Sequence, residues 1–140
     1  QEAGVALVAE LPLASGRRAD LVGVDGKGRF LIVEIKSSVE DFRVDTKWPD
    51  YLCHCDSFYF ATLPDVPAEI FPHSEGLIVA DAWGAEIVRE SRQGSLAGAT
   101  RRAMTLRFAR AAAARLERVI LHHEAAGLAL PDDLAAISGE

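Results

Sequence analysis

Cysteine is nearly absent from this chain: two of 140 residues, Cys53 and Cys55 in the run CHCD. A structural metal site needs about four ligands and commonly spaces its cysteines two to four residues apart, so this pair with His54 between them cannot build one from nearby residues. Nor is there a cysteine framework for a stapled secreted domain, which leaves free structural thiols and points to a reducing cytoplasm. Long apolar runs are missing as well. No stretch approaches the roughly 20 apolar residues of a membrane-spanning helix, and no basic-then-apolar leader opens the chain. A soluble cytoplasmic protein with no membrane partner is the expectation. Internal repeats and low-complexity linkers are lacking too, which argues for one domain over residues 1–140.

An excess of positive charge is the remaining absence. The net charge is -6, which argues against a protein that grips nucleic acid by charge alone. The charge is unevenly spread: residues 1–97 carry 9 basic and 16 acidic side chains, residues 98–118 carry 6 and 1, and residues 119–140 carry none and 4. A basic segment is embedded in an acidic protein, and a bound cation would offset some of the carboxylates of the first part. The opening QEAG, with Gln rather than Met at position 1, reads as the interior of a longer protein, so an N-terminal helix is expected to be partly missing.

Against these absences stands a 49% apolar composition, enough for a real core at this length. Residues 4–13, GVALVAELPL, predict a strand, and ADLVGV and RFLIVEIK predict two more, separated by a glycine-rich turn. Val39, Phe42 and Val44 recur at helical spacing in SVEDFRVDTKW, with Ser38 as N-cap and Asp41 as its capping-box partner. Pro49 breaks or restarts that helix, and YLCHC extends it. SFYFATL is aromatic and apolar, hence a strand. Residues 64–75 read as loop, and GLIVADA and AEIVRES as two strands joined by a Trp-Gly turn. A long helix then runs to Gly127. Its arginines, Arg101, Arg102, Arg107, Arg110, Arg115 and Arg118, surround an apolar stripe of Leu106, Ala109, Ala113, Leu116 and Ile120, with a solvated basic face favoured over a DNA contact. His122 and His123 interact with the helix dipole and solvent, and Trp48 and Trp83 are expected to pack. The order of elements predicts an α/β fold, a central mixed β-sheet flanked by helices.

One stretch is chemically odd. In RRADLVGVDGKGRFLIVEIKSS, residues 17–38, three charged residues interrupt runs that otherwise read as buried strand. If GKG (26–28) is a three-residue hairpin loop with Gly28 left-handed, Val24 faces Phe30, Val22 faces Ile32, Asp20 faces Glu34 and Arg18 faces Lys36. Opposed residues share a face about 5 Å apart, so the two carboxylates are neighbours and Lys36 lies about 7 Å further along that face. Leu21, Leu31, Val33 and Ile35 make the other face apolar, which predicts a central hairpin covered on both sides. Neighbouring carboxylates in a partly buried place repel, and one is driven toward protonation unless a positive charge intervenes. Mg²⁺ or Mn²⁺ is the economical solution, because such an ion takes one or two carboxylates and keeps waters and phosphate oxygens as its other ligands. With an ammonium nearby, the constellation suits phosphodiester hydrolysis.

Asp20, a thirteen-residue gap and then Glu34-Ile35-Lys36 resemble the D…(D/E)-x-K signature of the PD-(D/E)xK nuclease superfamily. EIKSSVEDFRVDTKWPDYLCHCDSFYFA, GLIVAD and LRFARAAAARL resemble MmcB-type DNA repair proteins over nearly the whole chain. The resemblance implies a restriction-endonuclease-like core, with Asp20, Glu34 and the Ile35 carbonyl binding the metal and Lys36 as catalytic lysine. Lys47 and Tyr51, at i and i+4 on one face of the following helix, resemble a Gln-x-x-x-Tyr motif with Lys for Gln and are candidate phosphate contacts, together with Arg18. Ala19 stands where that signature has Pro. The superfamily's first acid would be Glu2 or a trimmed residue, with Glu10 as a second candidate.

Two classes of function follow. The first is a metal-dependent DNA nuclease acting in repair through Asp20, Glu34 and Lys36. The alternative is a binding or scaffold module that keeps the fold and works with other repair proteins. The intact acids and lysine favour the enzyme, since no structural role requires adjacent buried carboxylates. An RNA substrate or foreign DNA fits the same chemistry.

Overall fold

Gly28, at φ +79, closes the turn that begins at Asp25. Its N–H donates to the Asp25 carbonyl at 3.0 Å, and the Asp25 carboxylate accepts from the N–H groups of Lys27 and Arg29 at 2.8 and 3.0 Å. This is the hairpin expected from GKG, and its register is the expected one, with Val24 facing Phe30 and Val22 facing Ile32. The computed structural model describes residues 4–138. Its strands are β1 (Ala6–Pro12), β2 (Arg18–Val24), β3 (Phe30–Ile35), β4 (Ser57–Thr62), β5 (Gly76–Asp81) and β6 (Gly84–Arg89). They form one mixed sheet in the order β1-β2-β3-β4-β5-β6. β3, β4 and β5 run parallel, and the outer pairs are antiparallel.

Parallel neighbours require crossovers. The first carries α1 (Val39–Val44) and a 3-10 helix (Trp48–His54), the second a short 3-10 turn (Ala68–Ile70) inside the segment expected to be loop. The Ser38 hydroxyl caps α1 as expected, accepting from Asp41 N–H at 3.0 Å, but Asp41 reaches back to the N–H of Ser37 rather than Ser38. The helix stops at Val44, earlier than expected. Asp45 turns extended, at φ -89 and ψ 92, and takes the Lys47 N–H onto its own carboxylate at 3.0 Å.

Phe30, Phe58, Phe60 and Phe71 are the center of the core, each at most 1% exposed. Phe42 of α1 meets Phe60 and Phe71 at 5.4 and 5.0 Å, and Trp48 stacks on Phe58 at 5.7 Å. Removing one such ring costs about 3–5 kcal/mol. Cys55 is buried, and burial pushes its thiol up to about 12, so it is inert. Cys53 is a free exposed thiol.

Three expectations about surfaces need correction. Trp83 does not pack: it is 93% exposed at the β5–β6 turn. The hairpin is central in the sheet but covered on one face alone. Helical residues pack with the Val22, Phe30 and Ile32 side, while Leu21, Leu31, Val33, Ile35, Ile78 and Ile87 line an open groove of about 710 Å³ on the other. Finally, the long helix α2 (Gly98–Ala125) turns a different stripe inward. Met104, Phe108, Ala111 and Ala112 face the core; of the expected stripe Ile120 is buried, whereas Leu106 is 61% exposed. Arginines decide this rotation. Arg101 is anchored to Asp56, and Arg107 and Arg115 donate to the carbonyls of Pro12, Ala9 and Glu10 on the edge strand β1. These bonds occupy groups that an exposed edge would offer to another strand. A third helix, α3 (Asp132–Ser138), follows Gly127.

Asp56 joins the layers. One oxygen accepts from Phe30 N–H at 2.7 Å and Arg101 Nη1 at 2.9 Å; the other accepts from Leu96 N–H at 3.1 Å and Arg101 Nη2 at 2.7 Å. These donors more than offset burial and hold the carboxyl at about 2. Its folded value lies below the unfolded value of 3.8, so its contribution is present above pH 4 and is lost as pH falls from 4 through 2. That contribution is about 2 kcal/mol. Acid unfolding should therefore separate wild type from Asp56→Asn: the wild type loses stability relative to the variant between pH 4 and 2, and parallel curves there would contradict this account.

Candidate functional site

The site begins where the alternation of two strands breaks. In β1, Val8 and Leu11 both point into the core with two exposed residues between them; in β2, Ala19 and Val22 do so with the half-buried Asp20 and Leu21 between them. Glu10 and Asp20 fall opposite each other inside this paired kink, between the register pairs Ala9–Leu21 and Leu11–Ala19. Glu10 adopts φ 52, a left-handed conformation that costs a non-glycine residue about 1 kcal/mol or more.

The kink also ends the regular pairing of β2 with β3. The last ladder pair is Leu21–Val33, and carboxylates replace the backbone acceptors beyond it. Glu34 Oε2 accepts from Asp20 N–H at 2.9 Å, and Asp20 Oδ2 accepts from Ile35 N–H at 2.8 Å. The two acids are thus brought together as the hairpin register predicts, each holding the other's strand. Asp20 Oδ1 and Glu34 Oε1 are not drawn into these bonds. The N–H and C=O of an extended residue point to the same edge, so the Ile35 carbonyl is aimed to the side of Asp20.

Glu34 is 4% exposed. Burial pushes its carboxyl up to about 7; the Asp20 N–H opposes the rise, and the Asp20 charge adds to it. Lys36, 7% exposed, belongs to the same neighbourhood, and its Nζ donates to Asp45 Oδ2 at 2.7 Å. Asp45 is held below the ordinary carboxylate range by the Lys36 ammonium and the Lys47 N–H against its burial. Sequence reasoning missed Asp45. Its only local signal was its place just after a short helix, and its partner lies nine residues away on another element.

The other candidates are distributed differently. Tyr51 is a core residue stacked on Phe58, and its hydroxyl donates to the Arg18 carbonyl at 3.1 Å. Burial, and secondarily the Glu34 charge, raise its pKa. Lys47 and Tyr51 do not share a helical face as expected: Lys47 precedes the 3-10 helix, which turns with about three residues rather than 3.6. Lys47 is exposed. Arg18 pairs with Glu10 at 3.4 Å, beside a surface hollow also lined by Arg115. Arg17 instead leans toward the 3-10 helix and meets Asp50 at 3.3 Å. Glu2 lies outside the described residues. Among the described residues, no group of three or more His, Cys, Asp or Glu side chains is placed to hold a metal. The remaining donor set, two carboxylate oxygens and a carbonyl edge, is of the hard-oxygen kind that Mg²⁺ or Mn²⁺ takes with waters and phosphate.

The Glu34 carboxyl titrates at about 7 in the fold against 4.5 unfolded, so its ionisation destabilises the protein increasingly from pH 4.5 through 7. Glu34→Gln, whose amide oxygen can still accept the Asp20 N–H, should match wild type near pH 4.5 and exceed it in thermal stability at pH 8. An advantage equal at both pH values would refute the burial argument.

Comparison with known proteins places the chain. A protein of unknown function from Silicibacter pomeroyi has a similar structure, with a TM-score of 0.80, 41% sequence identity, and coverage of 83% of this chain and 80% of that one. No curated protein is significantly similar. The family model of the MmcB-like DNA repair proteins matches residues 1–123, and with the match spanning all six strands and nearly the whole of α2, the chain belongs to the MmcB-like DNA repair protein family.

Proposed function

We propose that this protein hydrolyses phosphodiester bonds of DNA in repair, with Mg²⁺ or Mn²⁺ held by Asp20, Glu34 and the Ile35 carbonyl. The observation that carries the reading is the reciprocal bonding of Asp20 and Glu34 at the end of an opened ladder, with the buried Lys36 ammonium beside them. It supports a PD-(D/E)xK site on a restriction-endonuclease-like core. Ending the ladder needs acceptors but not two acids side by side in a place where burial, with the Asp20 charge adding to it, raises Glu34 to about 7.

When bound, the cation polarises a phosphoryl oxygen and makes a water more acidic. The chain's own residues do the rest. The two backbone N–H donors fix both carboxylates before any ligand arrives, so little reorganisation is needed. Asp45 holds the Lys36 ammonium in place through one of its three protons. The other protons serve the attacking water or the charge that develops on the phosphoryl oxygens. Exposed Lys47 and Arg18 supply contacts to backbone phosphates, which position the strand without reading its sequence.

The same ion pair favours a second reading. Lys36 bound to Asp45 at 2.7 Å is also what a module that binds repair proteins or DNA without cutting would retain. Cleavage of nicked, flapped and single-stranded oligonucleotides in Mg²⁺ or Mn²⁺ decides between them. Asp20→Asn should abolish hydrolysis, and Lys36→Ala should lower turnover by about a hundredfold or more while DNA binding falls far less. Cleavage unaltered by either change would sink the nuclease assignment, and absence of cleavage in the wild type would leave the binding module.

A further inference from the structure

We propose that Trp83 is a stacking platform for an unpaired DNA base, a contact separate from the acidic pair; this rests on the DNA-directed reading above. The ring is 93% exposed, whereas Trp48 is stacked inside the core. A ring of this size ordinarily contributes by burial, and Trp83 forgoes that contribution. The turn holding it is well fixed. Asp81 Oδ1 accepts from the N–H groups of both Trp83 and Gly84, at 2.8 and 3.1 Å, so the backbone presents the indole from a defined position.

The position is the informative part. β3, β4 and β5 are parallel, so the β5–β6 turn lies at the same end of the sheet as Glu34 and Lys36. Strands about 4.8 Å apart and residues about 3.3 Å along each strand set the ring about 15 Å from Lys36. A few nucleotides of extended single strand cover that distance. Stacking uses the π face that every base has, but single-strand sites also hold the phosphates with cations. The charged residues nearest this tip in sequence are Asp81 and Glu86, so the tip supplies the stacking contact alone and the phosphates fall to the cations assigned above, Lys47 and Arg18. A protein partner fits less well, because protein hot spots lie within closely packed apolar surrounds. The adjacent turn residues Ala82 and Gly84 are small, and the apolar groove reaches the neighbouring Ala80–Ala85 pair but is not lined by Trp83 itself.

The test measures binding of a fluorescently labelled single-stranded oligothymidine in EDTA, so that no cleavage is involved. Trp83→Ala should weaken binding by about 5- to 100-fold and Trp83→Phe by much less, the range expected for one stacked base. Binding to a blunt duplex should change little, and the exposed position predicts the same Tm for all three proteins. In the wild type, unlabelled oligothymidine should quench the tryptophan emission, a signal lost in Trp83→Phe. Equal affinity of Trp83→Ala and wild type, or no single-strand binding by the wild type, overturns the proposal. So does Trp83 emission that shifts with protein concentration alone as a dimer sediments, which would assign the ring to a second copy. Loss of hydrolysis in Asp20→Asn with the oligothymidine signal intact keeps the two readings distinguishable.

Discussion

The opening of the β2–β3 ladder is the constraint from which this end of the molecule follows. Buried backbone N–H groups must find acceptors, and past Leu21–Val33 the acceptors are the carboxylates of Asp20 and Glu34. The exchange does two things together. It terminates a central strand pair without orphaned donors, and it fixes two acids side by side in a place where their charges are poorly solvated. The paired kink at Glu10 and Asp20 belongs to the same arrangement, since both strands change faces there.

Polarity of the sheet then gathers the remaining parts. Because β3, β4 and β5 run parallel, Glu34, Lys36 and the β5–β6 turn share one end, while the crossover after β3 returns Asp45 to Lys36. The helices are stacked on one face, so the acidic pair is supported from the core side and the opposite face remains an apolar groove.

Charge is distributed by tertiary structure rather than by composition. The basic segment looks like a surface suited to an anionic partner, yet Arg101, Arg107 and Arg115 are engaged with Asp56 and with the carbonyls of the edge strand. Half of the arginines on that helix therefore serve attachment of the helix to the sheet. The acidic net charge of the chain includes Asp56, which is ionised and buried because Arg101 and two backbone donors surround it.

Much of this was legible in the sequence because it depends on neighbours in the chain. The GKG loop defines its own hairpin, and a hairpin's register follows from its loop, so the meeting of Asp20 with Glu34 was readable before any tertiary contact. Strand identities and the Ser38 cap are equally local. What only the tertiary structure decided are matters of which face turns where. A long alanine-rich helix has more than one apolar stripe, and the Arg101–Asp56 pair, between residues far apart in sequence, fastens the end of the helix from which Met104 and Phe108 enter the core. Trp83 reads as a core ring by its chemistry, and only the turn at the sheet's margin makes it exposed. Asp45 joined Lys36 because the crossover brought it there. Local hydrogen bonds are determined by sequence spacing, but rotation of a helix and choice of ion partner depend on distances that close only when the layers are assembled.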